Sequence, residues 1–311
     1  MFNFNPIATG IESDFMNEPV IDIEDLSKFY GKARGIDHIN LDVHAGEIFG
    51  FIGPNGAGKS TTIRILMSLI FPTSGSAKIM GMDVIRQAKE IKRKVGYIPS
   101  DANAYQWMGV NEFLDYCLRF HRIQDGRKRV DELAKLFELD LTRKISDLSM
   151  GNKKKVSIIQ SLLHNPGLLI MDEPTTVLDP LMQSVLFELL RTENRNGLTI
   201  FFSSHHLSEV QMLCKRVAII KEGNIIRVED IDTLRKKQLK KVFIELDEPV
   251  DIETFNISGA ENLSLVPGNK ISLLFSGNIS DLIKALSGKR IKDLTIEEPS
   301  LEEIFMHYYK V

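Results

Sequence analysis

The chain has 311 residues, of which 43% are hydrophobic and 26% charged, a composition typical of a soluble globular protein. Its formal net charge of −3 argues against binding to nucleic acid through overall charge. No Lys or Arg precedes Lys28, and the longest uncharged run, 156–171, is interrupted by polar residues and Pro166. We therefore expect neither a targeting signal nor a membrane span, and predict a cytoplasmic chain.

The first predicted elements are a tail and two strands. Residues 1–18 follow no sustained period, which predicts a flexible N-terminal tail. In VIDIEDL (20–26) and INLDV (39–43) apolar residues alternate with polar ones, which predicts half-buried strands. The segment 46–70 predicts a buried strand, a glycine-rich loop and a helix that continues to about Ile70. Residues 84–165 then follow a mainly helical pattern.

Predicted strands and helices alternate from Leu168 onward. LLIM (168–171) and TIFFSS (199–204) are predicted strands, and a helix should begin at Asp179, an N-cap followed by Pro180. A hairpin should turn at 222–224. This alternation indicates a mainly parallel sheet covered on both faces. Beyond the basic stretch RKKQLKK (235–241), the pattern predicts a small α+β domain of strands and two helices, the last in SLEEIFMHYY (300–309).

The segment GPNGAGKST (53–61) fits the phosphate-loop pattern G-x-x-x-x-G-K-[ST] in full. Its glycines let backbone N–H groups turn toward phosphate oxygens at the start of the next helix. Lys59 would meet the β- and γ-phosphates, and the Ser60 hydroxyl would bind Mg²⁺. A strand before the loop and a helix after it favour this interpretation over a chance glycine-rich turn. The predicted nucleotide-binding residues of this loop are Gly53, Pro54, Asn55, Gly56, Ala57, Gly58, Lys59, Ser60 and Thr61.

A second motif, LLIMDEP (168–174), is an apolar strand that ends in two carboxylates. A buried parallel strand delivers Asp172 to the carboxyl edge of the sheet, where ligands bind in such folds. Asp172 suits Mg²⁺, directly or through water. Glu173 suits the general base that orients and deprotonates the attacking water. The alternative, two acids that merely end a strand, is less attractive when a phosphate loop is present.

Five motifs together resemble the ATPase subunit of ABC transporters. The glycine loop, LSMGN (148–152), LLIMDEP (168–174), TTVLD (175–179) and SSHH (203–206) stand in the order and approximate spacing of that family. The resemblance covers 20–230, and the remainder resembles the short C-terminal domain of bacterial exporter ATPases for drugs, antibiotic resistance and bacteriocin immunity. It implies an α/β P-loop NTPase fold, with a RecA-like core, an antiparallel β subdomain and an α-helical subdomain, plus a small C-terminal α+β domain. The implied nucleotide-binding domain is 19–230, and 231–311 forms an accessory or dimerisation domain.

The resemblance also implies roles for single residues. Tyr30 resembles the aromatic residue that stacks on adenine, with a core tyrosine at a strand end as the alternative. Asp179 resembles the loop acid that couples two nucleotide sites. His205, which directly ends its strand, resembles the switch histidine that senses the γ-phosphate. The signature turn would cover a nucleotide held by a second subunit; its residues are Leu148, Ser149, Met150, Gly151 and Asn152.

The chain departs from the family pattern at two positions. Many relatives carry Gln or Glu after GYIP, where this chain has Ser100. The short serine side chain cannot reach a metal as Gln would, although the loop from Ser100 to about Met108 should still face membrane subunits. Asn152 replaces Gln at the end of the signature turn but retains the amide, so we expect that function to persist.

The expected function is the ATP-hydrolysing subunit of a membrane exporter that dimerises on ATP. The resemblance implies ATP and Mg²⁺ as cofactors and separately encoded transmembrane permease subunits as partners. The second ATPase subunit would be another copy of this chain or a different ATPase. The protein would lie peripherally on the inner face of the cell membrane, held by its permease. An importer remains an alternative, and the transported substrate is not predicted.

Other classes of function fit the sequence less well. A soluble ABC ATPase acting on ribosomes would usually carry two cassettes, and one acting on chromosomes would carry a long coiled-coil insertion. This chain has one cassette, and Gly53 and Asp172 lie only 119 positions apart (172 minus 53). A small-molecule kinase has no use for LSMGN. The basic runs 153–155 and 235–241 lack interleaved aromatic residues, so we expect no nucleic acid and interpret 153–155 as mainly a solvated helix start.

Overall fold

The computed structural model describes residues 18–101, 105–232, 240–247, 258–267, 270–287 and 290–297. The predicted tail at 1–18, except Glu18, and the predicted helix at 300–309 lie outside these residues. The helices are α1 Lys59–Leu66, α2 Ala88–Lys94, α3 Val110–Phe120, α4 Arg127–Leu136, α5 Met150–Leu162, α6 Pro180–Arg195, α7 Leu207–Leu213 and α8 Ile279–Leu286. The strands are β1 Ile21–Tyr30, β2 Ala33–Val43, β3 Ile48–Ile52, β4 Ser74–Ile79, β5 Met82–Asp83, β6 Val95–Ile98, β7 Leu168–Asp172, β8 Thr199–Ser204, β9 Arg216–Lys221, β10 Asn224–Asp230, β11 Lys240–Leu246, β12 Ala260–Val266, β13 Lys270–Phe275 and β14 Ile291–Glu297.

The chain folds into two compact units. The first extends to His205 and includes Ala218–Arg227; the second contains His206–Val217 and the described residues from Val228 onward. One boundary falls between His205 and His206, and the other two fall inside β9 and β10, the strands of the hairpin that the sequence predicts to turn at 222–224. Glu222 and Gly223 both have positive φ there, +49° and +81°, as a tight hairpin turn requires.

A six-stranded sheet, in the order β10-β9-β3-β8-β7-β6, underlies the candidate site. The pairs β3–β8, β8–β7 and β7–β6 are parallel, which confirms the predicted parallel sheet. Every residue of β3, β7 and β8 is buried, as expected for strands with both faces covered. The rings of Phe49 and Phe201 stack between β3 and β8 with centroids 6.0 Å apart. The register pairs Asp172 with Ser203 at the carboxyl edge.

Two smaller sheets complete the fold. An antiparallel sheet, in the order β2-β1-β4-β5, contains the two half-buried strands predicted at 20–26 and 39–43. In the second unit, β12-β13-β11-β14 form an antiparallel sheet whose apolar core includes Leu282 and Leu286 of α8. None of the described helices is long and apolar enough to cross a membrane.

One predicted boundary was wrong, and one strand was not predicted. Helix α1 ends at Leu66 rather than near Ile70, and Ser68 has a left-handed φ of +52°. The described part of 84–165 is mainly helical as predicted, with α2 to α5, but it also contains β6, which continues directly from the last residue of α2 and joins the parallel sheet. No turn residue separates the two elements, so the sequence carries no break at which a strand would be predicted.

Candidate active site

The glycine loop connects the end of β3 to the start of α1, as the phosphate-loop pattern requires. Gly58 has φ of +112°, and a Cβ there would lie 2.7 Å from Ile36 Cγ2 and 2.8 Å from Gly35 O. A Cβ at Gly53 would lie only 2.2 Å from Ile220 O. Residues larger than glycine therefore cannot occupy these two positions without moving backbone. Residues 53–58 form the loop, and Lys59, Ser60 and Thr61 open the helix.

The side chain of Lys59 points back along the loop that precedes it. Its Nζ donates hydrogen bonds to Gly53 O at 2.7 Å and to Pro54 O at 3.2 Å. The same Nζ lies 3.1 Å from Glu173 Oε1, and the lysine side chain is only 4% exposed. The ammonium is thus held beside the loop, where a phosphate would compete with Glu173 for it.

Asp172 ends β7 at the sheet edge, where the sequence placed it. Its Oδ1 accepts a hydrogen bond from Ser203 Oγ at 2.8 Å, and the residue is 1% exposed. Its Oδ2 is buried and has no hydrogen-bond partner among the described residues. A buried carboxylate oxygen left without a donor fits a divalent cation, and Mg²⁺ in nucleotide sites takes one or two carboxylates together with phosphate oxygens. Asp172 and the Ser60 hydroxyl are the residues that would hold it.

Glu173 links His205, the other predicted catalytic residue, to Lys59 at the end of the glycine loop. Its carboxylate lies between Lys59 and His205, with Oε2 3.1 Å from His205 Nδ1. Its backbone is left-handed, with φ of +46°, a conformation that non-glycine residues rarely adopt. The Glu173 N–H donates to Ser203 O and Oγ, each at 3.2 Å. Strained residues of this kind occur at functional sites, where the surrounding hydrogen bonds maintain them.

Tyr30 lies at the end of β1, and the residue is 48% exposed, so it is not a core tyrosine. A Cβ at Gly35 would meet Tyr30 Cε2 at 2.9 Å and Thr61 Cγ2 at 3.3 Å. The ring therefore lies beside the start of α1. The Lys28 ammonium lies 5.3 Å from its centroid. An exposed aromatic face next to the phosphate loop can accept a planar base.

The signature turn lies at the start of α5. Ser149 is its N-cap and accepts a hydrogen bond from Asn152 N at 3.3 Å, which confirms the predicted cap. Ser149 and Met150 are exposed. A Cβ at Gly151 would lie 2.9 Å from Val177 O, in the segment that leads to Asp179. Within the part of the chain that the structure describes, no hydrogen bond or ion pair joins this turn to Lys59, Asp172 or Glu173.

Asp179 begins α6 as predicted. Its Oδ1 accepts a hydrogen bond from Met182 N at 3.0 Å, and Pro180 occupies the first helical turn. The Asp179 residue itself is exposed. The structure thus groups Lys59, Asp172, Glu173 and His205 by direct contact or sequence adjacency, and leaves Asp179 and the signature turn as a separate surface feature.

The lysines after the signature turn are not a solvated helix start, so that interpretation was wrong. Lys154 is 0% exposed and Lys155 9% exposed. Lys154 Nζ donates hydrogen bonds to Pro99 O and Ser100 O, each at 2.8 Å. Sequence reasoning missed this residue because a run of three lysines normally marks a solvated surface. One signal was available: Val156, Ile158 and Ile159 follow at once, so this part of α5 is apolar on more than one face.

Comparisons with known proteins agree with this geometry. Residues 36–176 match the protein family described as ABC transporter. The chain is 34% identical over 307 residues to the bacitracin transport ATP-binding protein of Bacillus licheniformis, covering 92% of this chain and 96% of that protein. It is 28% identical over 311 residues to a daunorubicin resistance ATP-binding protein of Streptomyces coeruleorubidus, covering 94% and 96%.

Solved structures show the same fold. The chain matches an ATP-binding subunit of an ABC transporter with a TM-score of 0.66 and 29% identity, over 70% of this chain and 92% of that one. It also matches a dimeric ATP-binding cassette in a post-hydrolysis state, bound to ADP and Pi, with a TM-score of 0.63 and 26% identity. That match covers 68% of this chain and 98% of the other.

Proposed function

We propose that this chain, which belongs to the ABC transporter ATP-binding proteins of the antibiotic-resistance exporter type, powers an exporter. The chain is the ATPase of a transporter, and the exporter would be completed by separately encoded permease subunits. The observation that carries the proposal is the Glu173 carboxylate held between Lys59 and His205 beside the phosphate loop. The names of two relatives, which refer to bacitracin transport and to daunorubicin resistance, support export as the direction of transport.

The contacts at the site assign a task to each residue in hydrolysis. Loop N–H groups and Lys59 bind the triphosphate, and the phosphates draw the Lys59 ammonium away from Glu173. Glu173 then accepts a proton from the attacking water. His205, whose Nδ1 lies 3.1 Å from Oε2, attracts the carboxylate when the imidazole is protonated and lies beside the general base, where it would respond to the γ-phosphate. Mg²⁺, when bound, supplies positive charge that offsets the charge on the phosphate oxygens.

We propose that the active form contains two ATPase subunits arranged head to tail. Ser149 and Met150 are exposed, and among the described residues the signature turn makes no hydrogen bond to Lys59, Asp172 or Glu173. The free N–H groups at this helix N-terminus, which carries Ser149 and Gly151, can bind an anion presented by another subunit. The γ-phosphate of a nucleotide on the partner subunit is such an anion. The partner is another copy of this chain or a different ATPase.

An aromatic cluster in the first unit supports docking to a permease. Tyr105, Trp107, Tyr116 and Phe120 line a groove of about 610 Å³. Trp107 is 74% exposed and Phe120 is 69% exposed. Several exposed aromatic side chains grouped in one patch are typical of a surface that binds another protein. Tyr105 and Trp107 of this cluster belong to the loop from Ser100 to Met108 that the resemblance predicts to face membrane subunits. We propose that a permease covers this cluster and holds the protein at the inner face of the membrane.

Copurification from the native membrane tests the proposed partner. The full-length tagged chain should copurify with a polytopic membrane protein after detergent solubilisation. Trp107→Ser should reduce the recovered partner, because it removes the most exposed ring of the cluster. Phe71→Ser is the control, since Phe71 is 70% exposed but does not line the groove. Recovery with ribosomes instead of a membrane protein would contradict the proposal.

A further inference from the structure

Lys154 is a buried cation in the helix that follows the signature turn. It lies in the second turn of α5, and its side chain is fully removed from solvent. Burying an ammonium is unfavourable unless hydrogen bonds and nearby negative charge replace its water. The surroundings of Lys154 should therefore explain why a lysine is present here.

Three backbone carbonyls replace that water. Lys154 Nζ lies 2.8 Å from Pro99 O, 2.8 Å from Ser100 O and 3.4 Å from Glu173 O. An ammonium has three donors, so each N–H has an acceptor. Two of the carbonyls immediately follow β6, and the third follows β7. One side chain thus connects α5 to the ends of two adjacent parallel strands.

The third carbonyl belongs to the residue proposed as the general base. Glu173 holds a left-handed φ of +46°, which an L-residue keeps only when its surroundings fix it. Its N–H donates to Ser203, and its carbonyl accepts from Lys154 Nζ at 3.4 Å and from Thr176 Oγ1 at 3.2 Å. Lys154 is thus one of two donors that fix the carbonyl side of the residue whose carboxylate lies beside Lys59 and His205.

The charges around Lys154 keep it protonated at neutral pH. Burial lowers the pKa of its ammonium to about 8, while Asp172, Asp101 and Glu173 act in the opposite direction. Tyr97 on β6 stays neutral in this range, because burial and the charge of Asp172 raise its pKa to about 12. Above about pH 8 the neutral amine keeps two donors and loses a hydrogen bond, and the longest of the three, to Glu173 O, is the one most easily lost.

We propose that Lys154 is a positioning residue for ATP hydrolysis, whose ammonium holds the Glu173 backbone and the segment after β6 in the arrangement that aims the Glu173 carboxylate at bound nucleotide. The proposal rests on the proposed role of Glu173 as general base. Lys154 does not touch the reacting atoms and acts through the peptide of Glu173. Its loss should therefore lower kcat and leave nucleotide affinity nearly unchanged.

The test compares three variants of the full-length chain in steady-state hydrolysis and in direct ATP titration. Lys154→Met keeps the length of the side chain and removes every donor. It should lower kcat by about 10- to 100-fold, the size of effect produced by a misplaced catalytic group. Its affinity for ATP should stay within about twofold of the wild type. Lys154→Gln keeps two N–H donors and should recover part of kcat. Lys135→Met, on the exposed side of α4, is the matched control and should change neither quantity.

The pH profile separates a positioning role from a purely structural one. Wild-type kcat should fall as pH rises through about 8, and this alkaline limb should be missing in Lys154→Gln. A folded Lys154→Met protein with wild-type kcat would overturn the proposal. If Lys154→Met does not fold, an unchanged alkaline limb in Lys154→Gln overturns it instead. Glu173→Gln, measured in parallel, separates the proposed role of Glu173 from that of Lys154. Full activity of Glu173→Gln refutes Glu173 as the general base. An inactive Glu173→Gln together with a fully active Lys154→Met refutes only the positioning role of Lys154.

Discussion

Glu173 illustrates how single residues acquire their function from neighbours distant in sequence. The motif placed an acid after a buried strand, and the structure places its carboxylate 3.1 Å from both Lys59 Nζ and His205 Nδ1. Lys59 lies 114 positions before it (173 minus 59) and His205 lies 32 after it (205 minus 173). These distances depend on the parallel pairing of β3, β8 and β7, which brings three chain segments to one sheet edge.

Substitution of Glu173 by glutamine should separate binding from hydrolysis. Glu173→Gln keeps the shape of the side chain and a polar group near Lys59 and His205, but it cannot accept a proton from water. We expect hydrolysis to fall by about 10²- to 10⁴-fold, the usual contribution of a general base. ATP affinity, measured by titration with a fluorescent analogue, should be retained. Hydrolysis at the wild-type rate would show that another group is the base.

Residue types alone could not predict the environment of Lys154. The sequence shows it between two other lysines, a pattern that most often marks a solvated surface. Its burial depends on α5 packing against the ends of β6 and β7, a tertiary arrangement with no local signal. The glycine positions were easier to predict, because Gly53 and Gly58 meet a steric requirement that any phosphate loop imposes.

At the scale of elements, capping residues and long alternating segments gave reliable predictions. Ser149 and Asp179 both cap the helices that were predicted to begin after them. The four-residue strand β6 was missed because it directly follows α2, and short apolar runs do not distinguish strand from helix. That omission mattered for function, since Pro99 and Ser100, which bind Lys154, come directly after β6.

The small sheet of the second unit has its own apolar core, in which Leu282 and Phe275 are fully buried. We propose that residues 231–311 contribute to dimer assembly or regulation and are dispensable for nucleotide binding. A chain that ends at Asp230 should bind ATP with the affinity of the full-length protein in a direct titration. Leu282→Ala in the full chain is a milder variant, expected to cost about 2–5 kcal/mol of stability in this unit. Loss of ATP binding in a folded protein of either kind would contradict the proposal.

At the scale of the whole molecule, we propose that one chain contributes two separate halves to nucleotide sites shared between subunits. The glycine loop, Asp172, Glu173 and His205 form one half. The exposed turn at Ser149 would form the other, and among the described residues no hydrogen bond or ion pair joins it to Lys59, Asp172 or Glu173. In the proposed dimer, a second subunit supplies the missing half to each site.

Mixing two inactive variants tests this claim most directly. Ser149→Arg should leave folding and ATP binding nearly intact but block closure of the dimer through bulk and charge. Lys59→Ala should weaken nucleotide binding, because it removes the cation that faces the terminal phosphates. In a mixed head-to-tail dimer, one site carries both lesions and the other carries neither. We predict little hydrolysis by each variant alone and partial recovery on mixing, whereas a monomeric Ser149→Arg protein with full activity would contradict a site shared between subunits.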